Sequence, residues 1–126
     1  MPTIPTASRN AMCNALVDLI DAGSGEGTLV FHTSAHAEVA TLTFSDPAFG
    51  ASDTGVATAS AITSDTDATG GVIDHAHILD SDATVITDLT CGIAATDVIF
   101  GSTASLTLGA TDTLGASAFT VTVPAS

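Results

Sequence analysis

The chain has 126 residues, and its fourteen Asp and Glu side chains face a single basic one, Arg9, so the formal net charge is -13. Proteins bind nucleic acids and anionic membranes through Lys and Arg, so this composition excludes both as partners. The mean hydropathy is nevertheless positive, +0.49, because small and apolar residues replace the usual charged ones. Such a chain can bury a core, which argues against disorder.

A chain of this length builds one hydrophobic core, so we expect a single domain. No apolar run approaches the length of about 20 residues that a membrane-spanning helix needs, and the first residues lack the pattern of a secretory signal. We therefore expect synthesis in a cytoplasm. Cys13 and Cys91 are too few and too far apart for a disulfide framework or a metal knuckle, and are expected to be reduced, buried thiols.

Residues 1–7 are expected to form an extended N-terminal arm. This segment contains Pro2 and Pro5, which favour extended backbone and do not fit a helix interior. Residues 8–126 then form the single β-rich domain, which includes an N-terminal helix.

The sequence predicts this helix over residues 8–22. Ser8 is a suitable N-cap, and Gly23 stands where a left-handed residue would end the helix. Apolar side chains recur every three or four residues and predict one buried stripe, which contains Ala11, Met12, Ala15, Leu16, Leu19 and Ile20. Such an amphipathic helix must pack against a sheet or a neighbouring subunit.

The rest of the chain is predicted to be mainly β. Segments rich in Thr and Val alternate with Gly, Asp and Ser, a spacing typical of a small antiparallel β-sandwich or barrel. Side chains alternate between apolar and polar in residues 40–44 and again in residues 119–123, which is the period of a strand. The predicted strands are 28–32, 38–45, 56–63, 72–79, 84–89, 97–100, 105–108 and 118–123.

Two histidines, His75 and His77, share one predicted strand and therefore project from one face, a spacing that metal sites use. A metal would need further ligands, and nothing in the sequence brings His32 and His36, the other two histidines, to this pair. We therefore predict no metal site. His75 and His77 are interpreted as polar residues that face solvent or a subunit contact.

Paired carboxylates occur at Asp65 and Asp67 and at Asp80 and Asp82, but neither segment carries the bidentate Glu of the helix-loop-helix calcium pattern. Solvated turns are the expectation for both. No Gly-x-Ser-x-Gly elbow is present, and the glycine-rich residues 23–27 precede a strand instead of opening a helix. With no Lys, no Tyr and one Arg, the chain lacks most groups that stabilise developing negative charge. We expect no enzymatic activity and no cofactor.

Several segments occur in an order that carries a resemblance. They are VDLIDAGSG at 17–25, ATLTFSDPAFG at 40–50, GVATA at 55–59 and DSD at 80–82, with a looser match of FTVTVP at 119–124. This succession resembles a family of small virion proteins of tailed bacteriophages, the head decoration or cement proteins. The chain departs from that pattern at His75, Ala76 and His77, where relatives often carry large aromatic residues before the Asp-Ser-Asp turn.

The resemblance implies a virion structural protein that binds the outer surface of an expanded capsid and ties major capsid protein subunits together. The implied partner is the phage major capsid protein, the implied location is the outer capsid surface after synthesis in the host cytoplasm, and homo-oligomers are common in such families. Candidate capsid or subunit contacts lie in the arm, in the loop after a Pro turn and in the histidine strand. They are Pro2, Thr3, Ile4, Pro5, Phe49, His75 and His77.

Two other classes stay open. A phage tail or fibre component would share the β-rich composition. A calcium-dependent carbohydrate-binding module would also be β-rich, but such modules normally use exposed Trp or Tyr to stack on sugars, and this chain has neither.

Overall fold

The computed structural model describes residues 2–92, 96–99 and 106–125. The fold is mainly β and sandwich-like, with one N-terminal helix and largely antiparallel sheets, which is the fold class that the sequence predicts. The elements in chain order are α1 Thr6–Ile20, β1 Thr28–His32, β2 Glu38–Phe44, β3 Val56–Thr58, β4 Ile62–Thr63, β5 Gly71–Val72, β6 His75–Leu79, β7 Val85–Gly92, β8 Val98–Ile99, β9 Thr107–Leu108 and β10 Thr120–Thr122. Phe100 and Ser105, which bound two of the predicted strands, and Met1 lie outside the described residues.

The largest sheet has six strands in the order β4-β2-β1-β6-β7-β8. All neighbours in it are antiparallel except β7 and β8, which pair in parallel. Two further sheets of two strands each pair β10 with β3 and β5 with β9. The β1–β6 pairing joins residues more than forty positions apart, so the centre of the main sheet depends on long-range contacts.

The core lies on one face of the main sheet. Alternate side chains of the three central strands are buried there, as the period-two pattern predicts, and they are Leu29, Phe31, Ala40, Leu42, Phe44, Ala76 and Ile78. The rings of Phe44, Phe49 and Phe119 pack with centroid separations of 5.7 to 6.0 Å. Helix α1, β3 and β10 supply the second layer. The opposite face of β6 carries His75 and His77, which leaves both imidazoles outside this core.

Helix α1 begins at Thr6, two residues before the predicted start, and Pro5 occupies the N-cap position without a side-chain cap. Ser8 therefore lies inside the helix. The predicted arm is correspondingly shorter than 1–7, because Thr6 and Ala7 are helical. The helix ends at Ile20, with Asp21 as its C-cap.

The predicted apolar stripe of α1 was right for Ile20, which is buried, and wrong for most of its other members. The buried residues are Cys13, Val17 and Ile20, whereas Met12 and Leu19 are 44% and 49% exposed. The helix carries apolar residues on more than one face, so their period alone did not determine which face packs. The thiol of Cys13 donates a hydrogen bond to the carbonyl of Val121, which fixes this side of the helix against β10.

Gly23 does not form the predicted left-handed cap, since it is not among the described residues with positive φ. The glycine is required for another reason. A methyl group at Gly23 would overlap the hydroxyl oxygen of Ser81, and the same hydroxyl accepts a hydrogen bond from the Gly25 N–H at 3.2 Å. The loop after α1 therefore packs closely on the turn between β6 and β7.

Two predicted strands are each divided in the structure. The segment 56–63 forms β3, which pairs with β10, and β4, which pairs with β2. The segment 72–79 contains the end of β5, which pairs with β9, and β6, which pairs with β1. A continuous apolar alternation does not reveal that a strand changes partners, because the change depends on distant segments.

Candidate functional site

All four histidines of the chain lie together. His32 ends β1, His36 lies in the turn between β1 and β2, and His75 and His77 lie on β6. One ligand nitrogen from each residue lies within 4.8 Å of the corresponding nitrogens of the other three. The expectation that nothing brings His32 and His36 to the other pair was therefore wrong. We refer to these four residues as the histidine cluster.

Sheet register explains three members of the cluster. In the antiparallel pairing of β1 with β6, His32 lies directly opposite His75, and His77 is two residues further along the same face. The His32 and His75 rings are stacked, with centroids 5.4 Å apart, and the His32 and His77 centroids are 4.8 Å apart.

The turn between β1 and β2 supplies the fourth member. The Thr33 N–H donates to the Ala37 carbonyl at 2.9 Å, and the His36 N–H donates to the Thr33 carbonyl at 3.0 Å. His36 has φ 64°, the left-handed conformation that this kind of hairpin loop requires at its last position. The turn places His36 Nδ1 3.3 Å from His75 Nε2.

Two carboxylates engage the outer nitrogens of the cluster. Asp74 Oδ2 is 2.8 Å from His75 Nδ1, and Asp88 Oδ1 is 3.1 Å from His77 Nε2. Asp88 is the direct cross-strand neighbour of His77 in the β6–β7 pairing. These contacts orient both rings and leave His75 Nε2 and His77 Nδ1 as the remaining ring nitrogens.

His32 is the most constrained member of the cluster. Its Nδ1 is buried and has no hydrogen-bond partner among the residues that the structure describes. Burial lowers the pKa of His32 below its ordinary value of 6.5, and the nearby His77, His75 and His36 lower it further, while Glu38 acts in the opposite direction. The His32 imidazole is therefore neutral at pH 7, with a lone pair available on one nitrogen.

An open groove of about 360 Å³ lies over the cluster. It is lined by His36, His75, His77, Asp88, Leu89 and Thr90. Because the groove reaches solvent, a small ion can enter without an opening of the sheet.

The other predicted contact residues lie far from the cluster in sequence and differ in exposure. Pro2, Thr3 and Pro5 are exposed, and Ile4 is partly buried. The Ile4 N–H donates to the Ala125 carbonyl at 2.6 Å, so the arm is fastened to the C-terminal end of the domain.

Phe49 does not supply a surface contact. It is only 6% exposed, and its ring packs against Phe44 and Phe119. The Pro turn before it directs the side chain into the core, so the prediction of Phe49 as a capsid contact is not compatible with its burial.

The first carboxylate of each pair accepts hydrogen bonds from backbone N–H groups. Asp65 accepts from the Asp67 and Thr41 N–H groups, and Asp80 accepts from the Asp82 and Thr84 N–H groups, at 2.8 to 2.9 Å. These bonds give Asp65 and Asp80 a structural role in their loops.

The sequence carries only part of the signal for the cluster, which is the spacing of His75 and His77 on one strand. The five residues between β1 and β2 indicate a short hairpin loop but not the direction of the His36 side chain. The pairing of β1 with β6 had no local signal, because it depends on the order of strands in the sheet.

Comparisons with protein-family models, with curated proteins and with solved structures found no match for this chain. Within the part of the chain that the structure describes, α1 is too short and too polar to cross a bilayer, and no other helix is present.

Proposed function

We propose that this chain is a bacteriophage decoration protein, which binds the outer surface of the capsid and stabilises contacts between major capsid protein subunits. The supporting observation is its charge distribution. Fourteen carboxylates are accompanied by no Lys and one Arg. Such a surface suits a partner with basic patches and repels nucleic acid.

The single guanidinium is not available to an outside partner. Arg9 donates from Nε to the Ile4 carbonyl, from Nη1 to the Thr54 carbonyl and from Nη2 to the Thr6 hydroxyl, at 2.9 to 3.2 Å. Its role is internal, because it joins the arm, the start of α1 and the turn before β3. At neutral pH the charged groups left for an outside partner are therefore almost all carboxylates.

The segments that carry the family resemblance also contact one another. Gly23 and Gly25 pack on Ser81 of the Asp-Ser-Asp turn, and both carboxylate oxygens of Asp21 accept from the Ala48 N–H, at 2.9 and 3.2 Å. The segments on which the resemblance rests therefore form one connected region of this fold.

The proposed role is structural and not enzymatic. Neighbouring copies of the protein, as homo-oligomers on the shell, would bridge capsid subunits and resist the outward pressure of packaged DNA. Repetition over the shell multiplies a modest affinity per copy. The proposed contact regions are the exposed arm residues Pro2, Thr3 and Pro5 and the face of β6 that carries His75 and His77.

Quantitative gel analysis of purified virions tests this proposal. A decoration protein is expected at a copy number close to that of the major capsid protein in the same lane, and it should be released from the shell without loss of the tail. A few copies per particle would instead indicate a tail or fibre component. Binding to a glycan array that is lost with calcium chelator would indicate the carbohydrate-binding alternative.

A further inference from the structure

We propose that His32, His36, His75 and His77 form a structural site for a divalent transition-metal ion of the zinc class, which fastens the β1–β2 hairpin to β6. This inference does not depend on the capsid role. It follows from the donor set, the distances and the outer contacts of the rings.

The donor set selects the kind of metal. Four imidazoles offer four nitrogen ligands, which suit Zn²⁺, Cu²⁺, Ni²⁺ and Co²⁺, whereas Ca²⁺ and Mg²⁺ prefer oxygen ligands. Four histidines would fill a tetrahedral shell completely. A closed four-coordinate shell is typical of structural zinc sites, and it leaves no position for a substrate.

The distances fit a small rearrangement of side chains. Zinc–nitrogen bonds of about 2.0 to 2.1 Å in a tetrahedron separate the ligand nitrogens by about 3.3 to 3.4 Å. His36 Nδ1 and His75 Nε2 are already 3.3 Å apart, and the whole set lies within 4.8 Å. A metal ion would therefore have to draw the most distant nitrogens closer by about 1.5 Å, a shift on the scale of side-chain movement.

The outer contacts are those of metal-bound histidines. Ligating imidazoles usually donate their second N–H to a carboxylate, which fixes the tautomer and the orientation of the ring. Asp74 does this for His75 and Asp88 does it for His77. One ring nitrogen of His32 belongs to the set that lies within 4.8 Å, and no protein group among the described residues competes for its buried Nδ1.

The backbone of His36 provides a matched control for the test of this site. A non-glycine residue in the left-handed region costs about 1 to 2 kcal/mol, so glycine would stabilise this turn. The turn between β6 and β7 provides a comparison. Its fourth residue, Ala83, has the same φ of 64° and the same N–H bond to the carbonyl three residues earlier, at 3.1 Å against 3.0 Å for His36. The imidazole at His36 offers a contact to the cluster that glycine would lose.

Metal titration of the full chain tests the site. The protein is freed of any affinity tag, treated with chelator and titrated with zinc chloride by calorimetry. We expect one zinc ion per chain and a higher melting temperature with zinc than without it. Titration with Co²⁺ in place of Zn²⁺ should give the strong visible absorption of a tetrahedral site with nitrogen ligands.

Two matched glycine variants separate metal binding from turn geometry. His36→Gly and Ala83→Gly should both leave the metal-free protein as stable as the parent or more stable. Only His36→Gly should weaken zinc binding, by more than about tenfold, because the loss of a direct ligand should cost at least as much as the loss of an outer-shell partner. Combined His75→Ala and His77→Ala substitutions should abolish it.

Three results would overturn the proposal. They are an absence of saturable zinc binding by the parent chain, equal zinc affinity in His36→Gly and Ala83→Gly, and unchanged zinc affinity after loss of both His75 and His77. None of these results bears on the number of copies in virions, so the capsid role is judged separately.

Discussion

The side chain of Arg9 joins three segments of this protein by hydrogen bonds. Its guanidinium contacts the arm, the first turn of α1 and the turn before β3. Lysine keeps the charge but cannot reproduce a planar fork of several donors. We expect Arg9→Lys to lower the free energy of unfolding by about 1 to 2 kcal/mol, because lysine cannot make all the hydrogen bonds that the charged guanidinium donates. Urea unfolding measures this, and an unchanged midpoint would contradict the role of Arg9 as a junction.

Cys91 is expected to be an unreactive thiol at neutral pH. Burial, together with the smaller effect of the Asp74 and Asp97 carboxylates, raises its pKa from 9.0 to about 11. The reactive form is the thiolate, so alkylation by iodoacetamide should be much slower in the folded protein than in urea at pH 8. Since the unfolded chain ionises first, stability should also fall as the pH rises from about 9 toward 11.

Peptide mass spectrometry locates the modified thiol in this experiment. Cys13, which is fully buried, provides an internal comparison within the same sample. Rapid modification of Cys91 in the folded protein at pH 8 would contradict the raised pKa.

At the scale of single residues, part of the histidine cluster could be predicted from the sequence. The two-residue spacing of His75 and His77 indicates a common face, and the structure confirms it. His32 and His36 could not be placed, because their positions depend on the register of β1 against β6 and on a left-handed turn residue. Neither property has a local signature in the residues concerned.

Helix α1 provides a direct test of orientation at the scale of elements. Ile20 is 1% exposed and Leu19 is 49% exposed, although the sequence predicted both to be buried. Ile20→Ala should destabilise the protein by about 2 to 5 kcal/mol, because it leaves a cavity in the core. Leu19→Ala should change stability by no more than about 0.5 kcal/mol. Equal effects of the two substitutions, measured by thermal or urea unfolding, would contradict the helix orientation.

Strands were predicted better than the connections between them. The alternation in β2 and in the predicted strand 118–123, which contains β10, identified the side chains that face the core. It did so because a period of two is an intrinsic property of extended backbone. The breaks between β3 and β4 and between β5 and β6 were missed. Each break is a change of pairing partner, which depends on strands elsewhere in the chain. The start of α1 was missed because Pro5, without a side-chain cap, precedes the first turn.

The charge of the whole molecule leads to a prediction about salt. With a net charge of -13 the folded protein repels itself, and salt screens this repulsion over a Debye length that falls from about 10 Å at 0.1 M to about 3 Å at 1 M. The melting temperature should therefore stay constant or rise with added sodium chloride. Unfolding at higher salt would contradict this expectation.

Salt should act in the opposite direction on attachment to the shell. If carboxylates on this protein meet basic patches on the capsid, screening weakens the attraction that brings the two together. We expect less protein to sediment with capsids as sodium chloride increases. Sodium chloride and a neutral osmolyte at the same osmolarity provide the matched comparison, and equal binding in both would contradict an electrostatic contact.

Cryo-electron microscopy of the intact particle tests the central claim most directly. The proposed role predicts repeated density outside the shell, at positions where several major capsid protein subunits meet, that fits this sandwich-like fold with its single helix. Density for the fold at the tail alone, or a bare capsid exterior in particles that contain the protein, would contradict the account.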